Sequence, residues 1–461
     1  MTPRSTTLDP ALRRVLHDIV TPAHVLEDPG ITAGFARDWT GRHQGVTTAV
    51  VRPASTAEVA AVLRACADQG MSVVPQGGNT GLVAGGVAAD GEITLALTRI
   101  DGIAPVDAAD AQVTVGAGVA LSALHTTARA AQLEFPVDLS ARESATIGGM
   151  VATNAGGLHV IRHGAMRAQL TGIEAVRSTG AVIGDLRGLL KDNTGYHWPS
   201  VLCGSEGTLA VVTRVRVRLV APAEDRAVAL LAFAEAPAAV VAAGHLRTAL
   251  PDVDAIELVT AEGITLVCDS LRLPRPFAEP APVALLVEVA GTTGAVERLA
   301  AAVGDVASVQ DAAVAVDPER RAALWRYREA HTESIARLGP VHKLDVTLPA
   351  GALATFMDEV RARIGGLRPE ARVWLFGHAG DGNIHVNVTG VAPDDDALDG
   401  AVLELVASHG GSISAEHGIG RAKRAFLHLN RTAADIDAMR AMKRALDPAG
   451  ILNPGVLLPP V

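Results

Sequence analysis

The amino-acid sequence predicts an α+β protein with two or three domains, and three observations support this prediction. The chain has 461 residues, which is long enough for more than one well-packed core. From Ala49 onward, short apolar runs alternate with helical periodicity, as in a βαβ unit. After the Ala/Pro-rich segment 221–225 the pattern restarts with longer strands and helices, which is typical of an antiparallel sheet packed against helices. We therefore expect a two-part first domain, with a βαβ lobe and a mixed-sheet lobe, followed by an α+β domain.

The predicted elements divide the chain into four segments. Residues 1–45 form a helical lead-in, in which ALRRVLHDIV is the clearest helix. Residues 46–222 form the two-part domain, and residues 223–411 form the domain with the antiparallel sheet. Residues 412–461, whose final part is rich in Pro and Gly, form an extended C-terminal segment that lies over another part of the protein.

The first helix of the βαβ unit has clear start and stop signals. Ser55 or Thr56 is a suitable N-cap, and Gly70 follows the last apolar position. The runs TTAVVRP and MSVVPQ on either side are typical of buried strands.

Charge and composition exclude several classes of function. The chain has 40 basic and 50 acidic residues, a net charge of −10, and 49% hydrophobic residues. It has no basic stripe or Lys/Arg-rich arm, so a nucleic-acid partner is not expected. The apolar run 227–244 is interrupted by charge and proline, which predicts a strand, a turn and a helix instead of a membrane span.

Cysteine usage predicts the compartment. Cys66, Cys203 and Cys268 are far apart and odd in number, which argues against a disulfide framework and fits a reducing environment. The N-terminal residues lack the apolar core of a secretory signal. We expect a cytoplasmic protein.

Three glycine-rich loops predict a long ligand with phosphates in its middle. The first, QGGNTGLVAGG at 76–86, follows a buried strand and has consecutive N–H groups that can form an anion-binding nest. Its register does not fit the GxGxxG motif of nicotinamide-binding folds. Segments 146–157 and 204–208 repeat this chemistry. The alternative is three unrelated turns.

A predicted hairpin at 377–388 brings two histidines together. Asp381-Gly382 is a strong signal for a two-residue type I′ turn, which would place His378 directly opposite His385. Directly opposite residues have Cβ atoms roughly 5 Å apart, so two imidazoles could bind one divalent metal ion. Asn387 would point to the same face. The alternative is two surface histidines beside a tight turn.

Six motifs, in order, carry a resemblance to a known family. They are PQGGNTGL, IGGMVATNAGG, GSEGTL, GHAGDGNIH, AEHGIG and LNPG, spread from about residue 45 to 456. In this order they resemble the FAD-linked 2-hydroxyacid dehydrogenases, flavoproteins of the vanillyl-alcohol-oxidase type with a PCMH-type FAD-binding domain. The resemblance implies that an (R)-2-hydroxy acid is oxidised to the 2-oxo acid by hydride transfer to flavin N5. Electrons would then pass to a carrier other than NAD, such as an electron-transfer flavoprotein, a quinone or a cytochrome.

The resemblance also implies which residues surround FAD. They are Pro75, Gln76, Gly77, Gly78, Asn79, Thr80, Gly81 and Leu82 around the diphosphate, Asp138, Thr146, Ile147, Gly148, Gly149, Thr153, Asn154, Gly156, Gly157 and Gly207 around the flavin and ribityl chain, and Asn453 over the isoalloxazine. The loop 75–86 contains no His or Cys for covalent attachment, so we expect noncovalent FAD.

The C-terminal segment completes the implied metal and flavin site. By resemblance, Glu416 joins His378 and His385 around a divalent ion, expected to be zinc, and leaves an open position. His417 is the implied catalytic base, a role that suits a neutral imidazole near pH 7. The alternative for Glu416 is an ion pair with Arg421 or Lys423 at a helix start.

An anion clamp is implied for the substrate. Arg328 and Thr332 are four residues apart and would share a helix face, while Lys343 begins the strand HKLDVTLP. In the branch that oxidises D-2-hydroxyglutarate, the matching residues hold a carboxylate, and Asn387 adds a contact. The alternative for Arg328 is a solvated helix charge.

Other functions remain open at this point. The substrate could be D-lactate or glycolate, or the chain could be the flavin subunit of a glycolate-oxidase-like complex. A non-redox flavoprotein, such as an alkyl-glycerone-phosphate synthase, would not need the two histidines and Glu416. A structural zinc module is disfavoured because the cysteines are dispersed. The sequence does not fix the oligomeric state, and a homodimer is one of the states that stay open.

Overall fold

The computed structural model describes residues 7–89 and 91–459. The first six residues of the predicted lead-in and the last two of the predicted C-terminal segment lie outside these described residues. The chain divides into two compact units. The first unit comprises residues 1–157, 164–221 and 416–461, and the second comprises 158–163 and 222–415.

Fifteen strands are present in the described residues: β1 Val25–Leu26, β2 Thr47–Val51, β3 Val73–Gln76, β4 Glu92–Ala96, β5 Gln112–Gly116, β6 Leu170–Val176, β7 Val182–Asp185, β8 Val211–Arg218, β9 Asp225–Phe233, β10 Val253–Thr260, β11 Val283–Gly291, β12 Asp311–Ala315, β13 His342–Thr347, β14 Arg372–His378 and β15 Asn383–Thr389.

The described residues also form sixteen α-helices: α1 Pro10–Val20, α2 Pro29–Thr32, α3 Thr56–Asp68, α4 Leu121–Ala130, α5 Ile147–Thr153, α6 Val160–His163, α7 Met166–Gln169, α8 Trp198–Leu202, α9 Ala236–Ala249, α10 Ala261–Leu271, α11 Ala295–Gly304, α12 Pro318–Glu329, α13 His331–Ala336, α14 Leu353–Leu367, α15 Asp396–Ser408 and α16 Ala433–Leu446. Short 3-10 helices cover Pro22–His24, Ala350–Ala352 and Arg424–Leu429.

The first lobe of the first unit is the predicted βαβ unit. Its four-stranded sheet has the order β1-β2-β4-β3, in which β2, β4 and β3 are parallel and β1 is antiparallel. The Ser55 hydroxyl caps α3 by accepting from the Glu58 N–H at 3.2 Å. The buried side chains of α1 and α3, among them Leu16 and Leu63, pack with Ile93 in one hydrophobic core.

The second lobe is built on the sheet β5-β8-β6-β7, which is antiparallel throughout. The sequence predicted a mixed sheet here, but the mixed sheet is the one in the first lobe. Ile147 of α5 lies in the core of the second lobe beside Val115 and Ile173, and this packing fixes the start of that helix.

The C-terminal residues return to the first lobe. The Val73 N–H donates to the Ile451 carbonyl at 2.8 Å, and Val73 forms a parallel bridge with Leu452. Ile451 and Leu452 are buried in the core that includes α1 and α3. The next residue, Asn453, is thereby held beside β3, since its N–H donates to the Val73 carbonyl at 2.8 Å.

The second unit is built on a seven-stranded antiparallel sheet with the order β12-β9-β11-β10-β14-β15-β13. Side chains of α10, α12 and α13 pack with Trp374 and Phe376 in a hydrophobic core on one face of this sheet. The fold class predicted from the sequence is confirmed. Across the described ranges, no helix combines the length and the apolar character that a membrane crossing requires.

Candidate functional site

The glycine loop of the first unit lies tightly against the segment before α5. A Cβ atom at Gly78 would lie 1.6 Å from the Ser144 carbonyl oxygen, and one at Gly77 would lie 2.1 Å from Thr146 Oγ1. A side chain at position 78 would require a backbone shift, and one at position 77 would require the Thr146 side chain to move. Thr146 Oγ1 is buried and has no hydrogen-bond partner among the described residues. A buried hydroxyl of this kind fits a site that a polar ligand completes.

Several predicted ligand residues hold the loops together through their side-chain amides. Gln76 Nε2 donates to the Phe35 and Gly86 carbonyls, both at 2.8 Å. Asn79, whose φ is +53°, donates to the Arg37 carbonyl at 2.9 Å. These amide contacts hold the backbone of the loop in place.

The segment around α5 belongs to the second of the three predicted FAD-binding loops. These loops, 75–86, 146–157 and 204–208, are together called the cradle below. A Cβ at Gly148 would lie 2.5 Å from Ala117 Cβ, so α5 approaches the neighbouring strand closely. Thr153 Oγ1 donates to the Gly149 carbonyl at 3.2 Å. Asn154 ends the helix at φ +53° and accepts from the Arg167 N–H at 2.9 Å.

Gly157 and Asp138 meet through their backbones. Gly157 has a φ of +103°, and a Cβ there would lie 2.0 Å from the Asp138 carbonyl oxygen. The Asp138 carboxylate forms an ion pair with Arg142 at 2.5 Å. The structure therefore assigns the Asp138 carboxylate to an ion pair within the fold, while its backbone lies at the predicted cradle. The other predicted positions lie in the same loops or in α5: Thr80, Gly81 and Leu82 after β3, and Ile147 and Gly156 in and after α5.

Asn453 joins three parts of the first unit. Its Nδ2 donates to the Gly85 carbonyl at 2.9 Å and to the Glu206 carbonyl at 2.7 Å, and its backbone N–H donates to Val73. Its Oδ1 is buried and accepts no hydrogen bond from any described residue. Gly207, with a φ of +69°, packs against Pro75 of β3. The predicted positions 75, 207 and 453 are thus brought together.

Glu416 also lies at the cradle of the first unit. Its Oε1 accepts from the Gly157 N–H at 2.6 Å. Residues 416–423 form bends and turns, and Arg421 pairs with Glu92 at 2.8 Å. Arg421 therefore pairs with another carboxylate, and residues 416–423 contain no α-helix. Of the two alternative partners of Glu416, only Lys423, directly before the 3-10 helix Arg424–Leu429, stays open. His417 follows Glu416 in the same bend and is half-buried.

In the second unit, the predicted register of the hairpin is wrong but its two histidines still meet. His385 lies directly opposite Phe376, and residues 379–382 form a four-residue loop. Asp381 does not adopt the positive φ that a type I′ turn requires. Its side chain instead accepts from the Asn383 N–H at 3.1 Å. His378 is consequently the diagonal neighbour of His385, with ring centroids 5.3 Å apart.

Each of these histidines has a buried carboxylate at its Nδ1 atom. Glu257 Oε1 lies 2.6 Å from Nδ1 of His378, and Asp345 Oδ1 lies 3.2 Å from Nδ1 of His385. Burial raises the pKa of Glu257, but the neighbouring His378 and Arg328 outweigh burial and lower that pKa to about 2. A carboxylate on Nδ1 fixes the ring and its tautomer and directs Nε2 toward a ligand, as around metal-bound histidines.

Arg328 is buried, and the predicted helix face that includes it is interrupted. Helix α12 ends at Glu329 and α13 begins at His331, so Arg328 and half-buried Thr332 lie on different helices. Arg328 Nε donates to Glu257 at 2.6 Å, and the guanidinium lies 4.8 Å from the centroid of Phe376. The alternative of a solvated charge is wrong because Arg328 is only 6% exposed.

Lys343 and Asn387 are direct neighbours on β13 and β15. Burial lowers the pKa of Lys343 to about 8. The alternation along the strands places Lys343 and Asn387 on the face that also carries His378, His385 and Phe376. This face of the sheet, with Arg328 above Phe376, is named the basic face below.

Two residues of the basic face were not predicted, although the sequence contains a signal for each. Asp345 alternates with Lys343 in the K-x-D strand, so it must share that face once β13 pairs with β15. Glu257 is an acid inside the strand VDAIELVT, all of whose residues are buried, and a buried acid requires a partner.

Comparison with known families identifies the fold. The profile described as "FAD linked oxidases, C-terminal domain" matches residues 222–457. The chain belongs to this FAD-linked oxidase family. A second profile, described as "FAD binding domain", matches residues 47–184 of the same FAD-linked oxidase. The prediction of an FAD-dependent oxidoreductase is therefore confirmed.

Relatives of this FAD-linked oxidase align over nearly the whole of this chain. The D-2-hydroxyglutarate dehydrogenase of Xanthomonas citri pv. viticola is 36% identical, and the alignment covers 96% of each chain. The mitochondrial D-2-hydroxyglutarate dehydrogenase of Bos taurus is 37% identical over 95% of this chain and 82% of the relative. A solved structure of 4-ethylphenol oxidase from Gulosibacter chungangensis, in complex with isoeugenol, superposes with a TM-score of 0.76. It covers 97% of this chain and 96% of that one at 16% identity, which shows the shared fold.

Proposed function

We propose that this FAD-linked oxidase is an (R)-2-hydroxyacid dehydrogenase and that D-2-hydroxyglutarate is its substrate. The observation that carries the proposal is the basic face, where two carboxylate-oriented histidines share one side of a sheet with Arg328 and Lys343. The relatives named D-2-hydroxyglutarate dehydrogenase support the same substrate class.

The two histidines fit a divalent metal ion. Their Nδ1 atoms are occupied by buried carboxylates, which leaves Nε2 of each ring as the metal-binding atom. We keep Glu416 as the proposed third ligand and zinc as the proposed metal. A divalent metal, when bound, would lower the pKa of a coordinated substrate hydroxyl.

Noncovalent FAD fits the cradle of the first unit. The glycines at 77 and 78, the buried Thr146 hydroxyl and the Oδ1 atom of Asn453 are the features that support this proposal. FAD, when bound, supplies the acceptor for the hydride that leaves C2 of the substrate. His417 is the proposed base that takes the hydroxyl proton, so that one proton and one hydride leave and the alcohol becomes a ketone.

The basic face offers two cations to a dicarboxylate. Among the described residues, the only hydrogen bond of the Arg328 guanidinium is the one from Nε to Glu257, so its two terminal NH₂ groups can donate to a carboxylate. Lys343 adds a second positive charge, and Asn387 beside it adds an amide. Thr332 remains a predicted contact. Two cations favour a substrate with two carboxylates over lactate.

We propose that the electron acceptor is a carrier other than NAD, such as an electron-transfer flavoprotein, a quinone or a cytochrome. The first glycine loop is not followed by the helix that a nicotinamide-binding motif requires, because residues 77–91 contain no helix within the part that is described. The cytoplasm remains the proposed compartment.

A substrate panel with an artificial dye acceptor tests the proposed function. The purified holoenzyme is assayed with D- and L-2-hydroxyglutarate, D- and L-malate, D- and L-lactate, and glycolate. We expect the highest kcat/KM with D-2-hydroxyglutarate and little turnover of the L-isomers. Preference for D-lactate or glycolate would contradict the substrate, and no turnover of any 2-hydroxy acid would contradict the proposed function.

A further inference from the structure

Glu206 is a buried acid in the cradle loop 204–208, and it lies in an unusual backbone conformation. Its φ is +51°, a left-handed backbone value that residues other than glycine rarely adopt. The residue is only 7% exposed. A non-glycine residue persists in this conformation only where its surroundings over-determine it, so its contacts define what it does.

The Glu206 carboxylate is bound by the backbone that follows His417. Its two oxygens accept from the Ile419 N–H at 2.9 Å and from the Gly420 N–H at 2.8 Å. Gly418 and Gly420 have φ values of +82° and +57°, which turn consecutive N–H groups toward one point. Residues 418–420 thus form an anion nest, and its anion is a side chain of the same protein.

The nest leaves little space beside this carboxylate. A Cβ at Gly418 would lie 3.1 Å from Glu206 Cδ and Oε1, and one at Gly85 would lie 3.3 Å from Glu206 Oε2. Burial raises the pKa of Glu206, while the two N–H groups and Lys423 favour the carboxylate form.

The backbone of Glu206 joins two further segments of the first unit. Its N–H donates to the Ala152 carbonyl at 2.8 Å, at the end of α5. Its carbonyl accepts from Asn453 Nδ2 at 2.7 Å. One residue therefore connects α5, the C-terminal segment and the nest.

The segment 416–421 is held at both ends by other contacts. Glu416 accepts from Gly157 on one side, and the Arg421 N–H donates to the Val83 carbonyl at 2.9 Å on the other. Without Glu206, the backbone between these two anchors would lose the acceptor of the Ile419 and Gly420 N–H groups. His417 lies in this stretch, directly before the nest.

We propose that Glu206 is a positioning residue that fixes the backbone of residues 418–420 and thereby orients His417 for proton removal. The role of His417 as the base belongs to the proposed function, so the orientation part rests on that proposal. The alternative is that Glu206 supports only the FAD cradle through its backbone contacts to Ala152 and Asn453.

Amide hydrogen exchange tests the first part independently of any activity. In the holoenzyme, the Ile419 and Gly420 amides should exchange slowly because both are hydrogen-bonded to a buried carboxylate. In Glu206→Ala they should exchange at least about tenfold faster, while amides of β3 and α5 remain unchanged. Unchanged protection at 419 and 420 would overturn the proposal even if the enzyme proves to act on another substrate.

Kinetics of Glu206→Gln test the second part. The amide retains the volume but offers an NH₂ group, which only donates, at one of the two positions where an acceptor is needed. We expect kcat to fall about tenfold or more, since small misplacements of a catalytic group are costly, with KM for the 2-hydroxy acid and the Kd for FAD within about twofold. A parallel loss of FAD affinity, or a KM effect without a kcat effect, would show that Glu206 serves the cradle alone.

Two further variants distinguish a specific role of Glu206 from a general loss of the folded structure. Gly85→Ala places a methyl group 3.3 Å from Glu206 Oε2 without a positive φ at that position, so it should lower kcat in the same direction and speed the exchange of the Ile419 and Gly420 amides. Glu174→Gln removes another carboxylate of the first unit, one that accepts from Thr56 and Thr213 hydroxyls, and should leave kcat unchanged. Equal losses of kcat in Glu174→Gln and Glu206→Gln would overturn the specific role of Glu206.

Discussion

The Glu257 carboxylate lies 2.6 Å from Nδ1 of His378, and both groups are buried on one face of the large sheet. This contact occupies Nδ1 of His378, so the proposed metal ion would bind Nε2. Loss of such a partner carboxylate commonly weakens metal binding by about 10- to 100-fold. We predict that loss for Glu257→Gln, measured by competition with a chromophoric chelator.

Glu359 supplies a matched control for this change, because its Oε2 lies 2.8 Å from Nε2 of His409 at an exposed position. Glu359→Gln should leave metal affinity unchanged. Equal affinities in Glu257→Gln and the unmodified enzyme would remove the support for a metal at His378.

Lys343 should separate dicarboxylates from lactate. Replacing Lys343 by Ala removes one charge-assisted contact to a second carboxylate, worth about 1.5–3 kcal/mol, and so lowers kcat/KM for D-2-hydroxyglutarate by about 10- to 100-fold. Activity with D-lactate should change by less than about threefold. Lys191, which is exposed, provides the control Lys191→Ala. Equal losses on both substrates would contradict the assignment of Lys343 to the second carboxylate.

The pKa of Lys343 predicts a pH dependence. Burial lowers this pKa to about 8, so the ammonium group is charged below pH 8 and neutral above it. Affinity for a dicarboxylate should therefore be highest below pH 8 and fall as the pH rises through that value. The ratio of KM for D-2-hydroxyglutarate to KM for D-lactate should rise above pH 8 in the unmodified enzyme. In Lys343→Arg this ratio should stay flat, since a guanidinium remains charged.

The glycine at position 78 should be essential for flavin binding. A Cβ there would lie 1.6 Å from the Ser144 carbonyl, so Gly78→Ala must move the loop. We predict purification with less than about a tenth of the normal flavin content, read from absorbance near 450 nm. Gly365 lies in α14 with open space around its Cα, so Gly365→Ala should keep normal flavin content. Normal flavin content in Gly78→Ala would contradict the assignment of this loop to the diphosphate.

The flavin should be released by acid. The loop 75–86 contains no His or Cys, and Cys66, Cys203 and Cys268 are all buried. Acid precipitation should leave all flavin in the supernatant as intact FAD. Yellow colour retained in the washed pellet would contradict noncovalent binding.

The sequence predicted the fold class and the tight backbone of the glycine loops more readily than the geometry of the basic face. Glycine loops are local signals, and the positive φ of Gly157 or Gly207 follows from local backbone requirements. The hairpin register depended instead on whether Asp381 would adopt a positive φ. Its side chain accepts from the Asn383 N–H, which favours a longer loop that moves the pairing by two residues.

The carboxylates that orient the histidines were missed because their partners are far away in sequence. Glu257 and His378 are 121 residues apart, and only the pairing of β10 with β14 brings them together. The break between α12 and α13 was also missed, since the periodicity around Arg328 does not indicate a change of helix at Ala330. Single-sequence patterns report local structure and contain little information on such long-range pairing.

Hydride removal from a 2-hydroxy acid is the reaction that we assign to this FAD-linked oxidase. The most direct measurement is the anaerobic mixing of the holoenzyme with one equivalent of D-2-hydroxyglutarate, without any electron acceptor, while flavin absorbance near 450 nm is followed. We expect rapid bleaching of the flavin absorbance with the D-isomer and none with the L-isomer. One molecule of 2-oxoglutarate should form per flavin. Absence of bleaching with every 2-hydroxy acid in a metal-loaded, FAD-replete enzyme would contradict it.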